Sequence, residues 1–112
     1  MKVCFEIRVK PERLAEYRHR HAAVWPEMLK AIERSGRHNY SLFLREDGTI
    51  IGYFEVESLD DSQAILAADP VTARWEAEMS EFFVTPEGRA DQSMKRLTEV
   101  FDLEQQLAAI GS

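Results

Sequence analysis

The stretch from Tyr17 to Met28, "YRHRHAAVWPEM", sets two histidines and two arginines between a tyrosine and a tryptophan. Imidazole is the side chain whose ordinary pKa, near 6.5, lets it give or take a proton at neutral pH. On a helix turning about 100° per residue, Tyr17, His21 and Trp25 fall within about 80° of one another. His19 points roughly 160° away from His21, so the two imidazoles meet different surroundings. Their spacing of two also excludes a shared metal, since helical metal pairs stand three or four apart. His19 reads as a solvent-facing polar residue. His21 holds a place in an apolar stripe where a leucine would be ordinary. It is either half-buried and satisfied by a carbonyl or hydroxyl, or it lines a pocket between helix and sheet and is open to proton transfer.

Four other residues bear on that choice. Tyr17, one turn earlier, is either a core aromatic with its hydroxyl at the edge or a support for the imidazole and a ligand. Tyr40, beside His38 and Asn39, is either packing or a hydroxyl standing over a sheet. Trp75, in "RWEAEM", is either core or an apolar plate for the C–H face of a sugar ring. Glu76 is either surface charge or a carboxylate at the same site. There is no glycine-rich phosphate loop, serine elbow, metal-ligand cluster or nucleotide fingerprint.

The elements that must position these residues are legible from periodicity. Val3, Phe5, Ile7 and Val9 alternate with Cys4, Glu6 and Arg8, the mark of a strand with one apolar face. Pro11 opens a helix predicted over residues 12–35, with a kink or restart at Pro26 and a stop at Gly36. "HNYSLFLR", His38 to Arg45, reads as a strand, and "IIGYFEVE", Ile50 to Glu57, as its hairpin partner. Asp47-Gly48 supplies positive-φ residues for the turn between them. "SQAILAA" carries a short helix after the caps of residues 58–61. Asp69-Pro70 starts another that runs to about Phe83, with Val71, Trp75, Met79 and Phe82 on one face. "TPEGRADQS" is a polar loop, and Met94 to Leu103 a last strand with weaker alternation. Residues 1–103 are expected to form one domain, and residues 104–112 a tail with a helical turn or a frayed end.

Strand, helix, two strands, a helix pair and a strand point to an α+β ferredoxin-like sandwich, a four-stranded antiparallel sheet with helices on one face. Tyr40, Leu42 and Leu44 share one sheet face, opposite to Phe43; Ile50 and Phe54 oppose Ile51 and Tyr53. Apolar residues on both faces ask for a second cover, which predicts a homodimer of the dimeric α+β barrel type.

Composition sets bounds on partners. The chain has 112 residues, 45% hydrophobic and 30% charged, with a net charge of −6. That balance argues against nucleic acid or an anionic membrane as partner. No run approaches the ~18 apolar residues of a membrane span. Glu6 and Arg8 interrupt the apolar run that a signal peptide would need. The lone Cys4 is a small strand residue and suits a reducing, cytoplasmic setting.

Together, "EYRHRHAAVWPEM", "SGRHNYSLFL", "ARWEAEM" and the closing "EVF" resemble the L-rhamnose mutarotase family, over nearly the whole chain to about Asp102. The resemblance implies a homodimeric ferredoxin-like enzyme that interconverts the α and β anomers of L-rhamnose, a monosaccharide, without a cofactor. It implies His21 as proton donor, with Tyr17, Tyr40 and the Trp75 region, Glu76 included, on the sugar. One departure stands out: family members can carry two adjacent tryptophans where this chain has Trp75-Glu76, which bears on the preference between L-rhamnose and L-fucose or another aldose. Mutarotation moves one proton off the anomeric hydroxyl and one onto the ring oxygen, so an acid/base near neutrality suffices. Two other readings share the architecture: a non-catalytic dimeric ligand-binding module, and a cofactor-independent monooxygenase of the dimeric α+β barrel type.

Overall fold

The structure is a computed structural model that describes residues 1–84 and 95–111. Its order is β1 (Lys2–Arg8), a 3-10 turn at Pro11–Arg13, α1 (Leu14–Ala22), α2 (Pro26–Arg34), β2 (His38–Leu44) and β3 (Thr49–Glu55). Then come α3 (Leu59–Ala68), α4 (Pro70–Met79), a 3-10 turn at Ser80–Phe82, β4 (Lys95–Arg96) and α5 (Leu103–Ala109). The strands form one antiparallel sheet in the order β2-β3-β1-β4. This is the predicted ferredoxin-like sandwich: β3 returns between β1 and β2, and β4 closes the other side of β1.

Alternation in β1 decides the core. Val3, Phe5 and Ile7 are buried and stand opposite Phe54, Gly52 and Ile50 of β3. Against them pack Tyr17 of α1, Met79 of α4, and Phe82 and Phe83 just after it. Each fully buried side chain of this class contributes roughly 1.5–3 kcal/mol. Gly52 is part of the same fit: a Cβ there would overlap the Phe5 ring, so the missing side chain makes room for the aromatic one. A second cluster joins Met28 and Ala31 of α2 to Leu66 of α3 and Val71 of α4.

Pro26 ends the question of kink or restart. Trp25, the residue before the proline, is driven to ψ 132. Ala23 has already left the helical region, at φ −146 and ψ 73. The chain therefore breaks over three residues and begins a new helix with Pro26 at its first position. The single helix over residues 12–35 is thus two helices, and Trp25 lies outside the helix that carries Tyr17 and His21. The caps read from sequence are in place: Ser58 accepts from the Asp61 N–H at 3.2 Å, and Asp69 from the Val71 N–H at 3.1 Å.

The β2–β3 turn differs from expectation. Only Gly48 has positive φ; Asp47 instead accepts from the Thr49 N–H at 3.0 Å. Gly48 N–H donates to the Arg45 carbonyl, and Arg45 N–H to the Thr49 carbonyl. One left-handed residue therefore suffices, as in longer hairpin loops. Asn39, at φ 51, marks an irregularity in β2 where the pairing shifts between His38 and Ser41. From Ser41 onward the faces are those predicted: Leu42 and Leu44 face the side of Gly52 and Ile50, and Phe43 faces the side of Ile51.

The last strand is shorter than Met94 to Leu103. Met94 and the "TPEGRADQS" loop lie outside the described residues. Of the remainder only Lys95–Arg96 pairs as a strand, and Leu97 N–H adds one bond to the Cys4 carbonyl. The tail is better ordered than a frayed end. Asp102 caps α5 by accepting from the Gln105 N–H at 3.0 Å, and Lys2 forms ion pairs with Glu99 and Asp102.

Candidate active site

Between the sheet and α1 to α4 lies a cavity of about 150 Å³. A void of this size is known to take one six-membered ring. His21 and Tyr17 of α1, Tyr40 of β2, and Trp75 and Glu76 of α4 all line it. The sequence had picked each separately, and the fold brings all five to one place. Their arrival has local causes. Tyr17 and His21 are one turn apart on α1, so both face the sheet. Tyr40 sits over the helix-covered face at the edge strand, beside Phe54 with ring centroids 5.0 Å apart. Trp75 and Glu76 follow from the start of α4 that Asp69 and Pro70 dictate.

His21 is held from two directions. Its ring stacks on Tyr17, with centroids 4.1 Å apart and planes 29° from parallel. Trp75 meets it edge-on at 5.5 Å. Nδ1 lies 3.0 Å from the Tyr17 carbonyl. A carbonyl can only accept, so Nδ1 carries a proton, and Nε2 is the nitrogen left to exchange one. Burial lowers the His21 pKa below its ordinary value; the carbonyl contact opposes that shift in part. Burial also raises the pKa of Tyr17 and of Tyr40, so both hydroxyls stay protonated at neutral pH. His19, by contrast, is exposed. Trp25, though off α1, packs on Trp75 at 5.0 Å.

Three polar residues that the sequence did not single out share the cavity: Arg37, Gln63 and Thr72. Arg37 is only 8% exposed. Its Nε donates to Ser62 at 2.8 Å, an Nη donates to Gln63 at 2.6 Å, and its guanidinium lies 4.2 Å from the centre of the Phe54 ring. Its charge also acts on Tyr40, opposing in part the rise that burial causes in the pKa of that hydroxyl. Its only advance signal was its place just before "HNY". Glu76 is the one carboxylate among the described lining residues. Nowhere among the described residues do three or more His, Cys, Asp or Glu side chains group as a metal site. No described helix is long and apolar enough to cross a membrane.

Comparison with known proteins shows the family to which the chain belongs. A family model described as L-rhamnose mutarotase matches residues 2–103. The chain is 34% identical to the L-rhamnose mutarotase of Tolumonas auensis over 104 residues, which is 92% of this chain and 98% of that protein. It is 35% identical to that of Burkholderia orbicola over 103 residues, 91% of this chain and 97% of the relative. A crystal structure of the L-rhamnose mutarotase of Formosa agariphila shares the fold, with a TM-score of 0.75 at 23% identity, covering 91% of this chain and 97% of that one. With its sequence matched from the first strand through the start of α5, this chain belongs to the L-rhamnose mutarotase family.

Proposed function

We propose that this chain interconverts the α and β anomers of L-rhamnose, with His21 as the acid/base that serves the ring oxygen. The observation that carries the reading is the His21 ring itself. Nδ1 is committed to the Tyr17 carbonyl, and the imidazole lines a ring-sized cavity. When the sugar opens, Nε2 of the imidazolium gives a proton to the ring oxygen; when it closes on either face of the aldehyde, Nε2 takes a proton back. Burial disfavours the charged ring. It therefore makes the imidazolium a stronger acid, which suits a weakly basic ether oxygen. The anomeric hydroxyl must lose its proton at the same time. Glu76, the carboxylate lining the cavity, is the acceptor we assign to it. Positioned proton transfer of this kind contributes about 10²–10⁴-fold. No step calls for a metal, a nucleophile or a cofactor.

Tyr17 and Tyr40 supply hydroxyls for the sugar, and Trp75 an apolar plate for its ring. Met28, Ile32 and Leu66 on the same wall match the methyl group of a 6-deoxy sugar rather than a hydroxymethyl. Anomer-exchange NMR on L-rhamnose, L-fucose and D-glucose tests the choice. The expected order puts L-rhamnose first, and faster exchange of D-glucose would reject a 6-deoxy substrate.

The enzyme is read as a homodimer with its mutarotase domain in residues 1–103 and a tail in residues 104–112. The sheet face away from the helices leaves Phe43 65% exposed, next to half-buried Ile51 and Tyr53. Val100 is 91% exposed, and Phe101, Leu103 and Ile110 are exposed with it. A radius of gyration of 15.5 Å exceeds the ~13 Å of a compact chain this long. A second copy would cover this apolar surface. Lone Cys4, with no partner for a disulfide in its own chain, supports a cytoplasmic location.

A further inference from the structure

We propose that the side-chain amide of Gln63 is a sugar-binding donor, held in place by buried Arg37, and that it recognises the oxygen of one hydroxyl at C2, C3 or C4 of the bound pyranose. The inference rests on the assignment of the cavity to a sugar and adds a specificity-determining residue to it. Gln63 lies in α3, is half-buried and lines the cavity. Its Oε1 accepts from an Nη of Arg37 at 2.6 Å. A guanidinium can only donate, so the amide oxygen is the atom held there and Nε2 is turned away from it. Among the described residues Nε2 meets no acceptor, and unlike the Thr72 hydroxyl it is not sealed off from solvent.

Arg37 can hold the amide because it is itself fixed. Its Nε donates at 2.8 Å to Ser62, which is 0% exposed, and its guanidinium lies 4.2 Å from the centre of the Phe54 ring, also 0% exposed. A glutamine on a helix ordinarily samples many rotamers and loses them on binding. Here the fold has already ordered it, so a hydrogen bond to the sugar carries less entropic cost. An amide N–H donates and never accepts, so Nε2 reads a sugar oxygen as an acceptor. His21 and Glu76 serve the ring oxygen and the anomeric hydroxyl in the proposed reaction, which leaves the hydroxyls at C2, C3 and C4. Arg37 acts here through Gln63, as a positioning residue.

The test measures anomer exchange by NMR on L-rhamnose and its 2-deoxy, 3-deoxy and 4-deoxy analogues, with the parent, Gln63→Met, Arg37→Lys and the double variant. For L-rhamnose, Gln63→Met is expected to raise KM about 10-fold and to leave kcat within about threefold, the scale of one hydrogen bond lost equally from ground and transition states. One of the three deoxy analogues is expected to show no further loss in that variant. Gln63→Glu keeps an acceptor for Arg37 should the methionine variant fold poorly, and is expected to change the KM ratio between L-rhamnose and a deoxy analogue at one position alone. Arg37→Lys keeps the charge without the fork, and is expected to raise KM in the parent but not in Gln63→Met. An unchanged KM in Gln63→Met overturns the proposal. So do equal losses for all four sugars, which loosened packing would produce. KM rises that multiply in the double variant would overturn the positioning role of Arg37. Absence of exchange by the parent on L-rhamnose would instead overturn the substrate assignment. Gln63 would then be judged by NMR titration of parent and variant with L-rhamnose, L-fucose and D-glucose, where equal dissociation constants, or no binding at all, would overturn its role too.

Discussion

The imidazole of His21 lies face to face with the phenol of Tyr17, 4.1 Å between ring centres, and its Nδ1 donates to the carbonyl of the same residue at 3.0 Å. One residue thus fixes both the tilt of the ring and its tautomer. The rest of the chemistry depends on where that leaves Nε2.

Stability should carry the signature of this burial. The folded-state pKa of His21 lies below its unfolded value near 6.5. The unfolded chain therefore binds the proton more readily. The contribution is complete above about pH 6.5 and is lost as the pH falls through 6.5 toward the folded-state value, with a slope of at most ~1.4 kcal/mol per pH unit. Urea melts between pH 5 and 7.5 should show this loss in the parent and a flatter profile in His21→Gln.

Tyr17 should separate into ring and hydroxyl roles. Tyr17→Phe keeps the stack and the backbone carbonyl, and should keep kcat within about threefold while weakening sugar binding. Tyr17→Ala removes the stack and opens a hole beside Phe82 and Phe83, which lie 6.2 and 6.3 Å from its ring. It should cost about 3–5 kcal/mol in chemical denaturation.

Glu76→Gln keeps size and polarity and removes the proposed proton acceptor. A fall in kcat of about 10²-fold with KM nearly unchanged is expected. A rise in KM alone, measured by exchange kinetics over a range of sugar concentrations, would make Glu76 a binding group only.

Gly52 couples the sheet to the site. A methyl at this position presses on Phe5, which also lines the cavity. Gly52→Ala should destabilise by about 1–3 kcal/mol, the cost of overpacking. It should also raise KM for the sugar, since Phe5 lines the cavity and a displaced ring alters its shape; melts and kinetics on one preparation check both.

Assembly can be probed at Phe43 and at the tail. Phe43→Asp places a charge on the uncovered sheet face, and should shift the species in light scattering from dimer to monomer. Removal of residues 103–112 takes away Leu103, Leu107 and Ile110 and should weaken the dimer more mildly. A parent that is monomeric at micromolar concentration would contradict the dimer.

Much of the fold was legible because local rules and tertiary demands agree. Period two in Val3, Phe5 and Ile7 sets the buried face of β1 whatever packs on it. Asp69-Pro70 starts α4, and Pro26 restarts the chain after α1, for reasons confined to neighbouring residues. The hairpin turn was read less well, because Asp47 and Gly48 admit several loops, and the contact between Gly48 and Val9 that selects one is tertiary. The last strand was overextended because its apolar residues Leu97, Val100 and Phe101 suggested a buried face, whereas all three are exposed.

In the site the division is similar. His21 was conspicuous as an imidazole in an apolar stripe, and Trp75 and Tyr17 as aromatics at helical spacing from other buried positions. Arg37 and Gln63 were not. An arginine between a glycine and a strand is exposed by default; what buries this one is Ser62, itself 0% exposed, and Gln63 on α3, some 25 residues later.

The central claim is that the His21 imidazole moves the proton of the ring oxygen. The most direct measurement is NMR exchange spectroscopy between the α and β anomers of L-rhamnose, with the parent protein and a folded His21→Ala side by side at neutral pH. Loss of about 10²-fold or more of the acceleration, with the melting curve still cooperative, is the expected result. Equal acceleration by both proteins would contradict it.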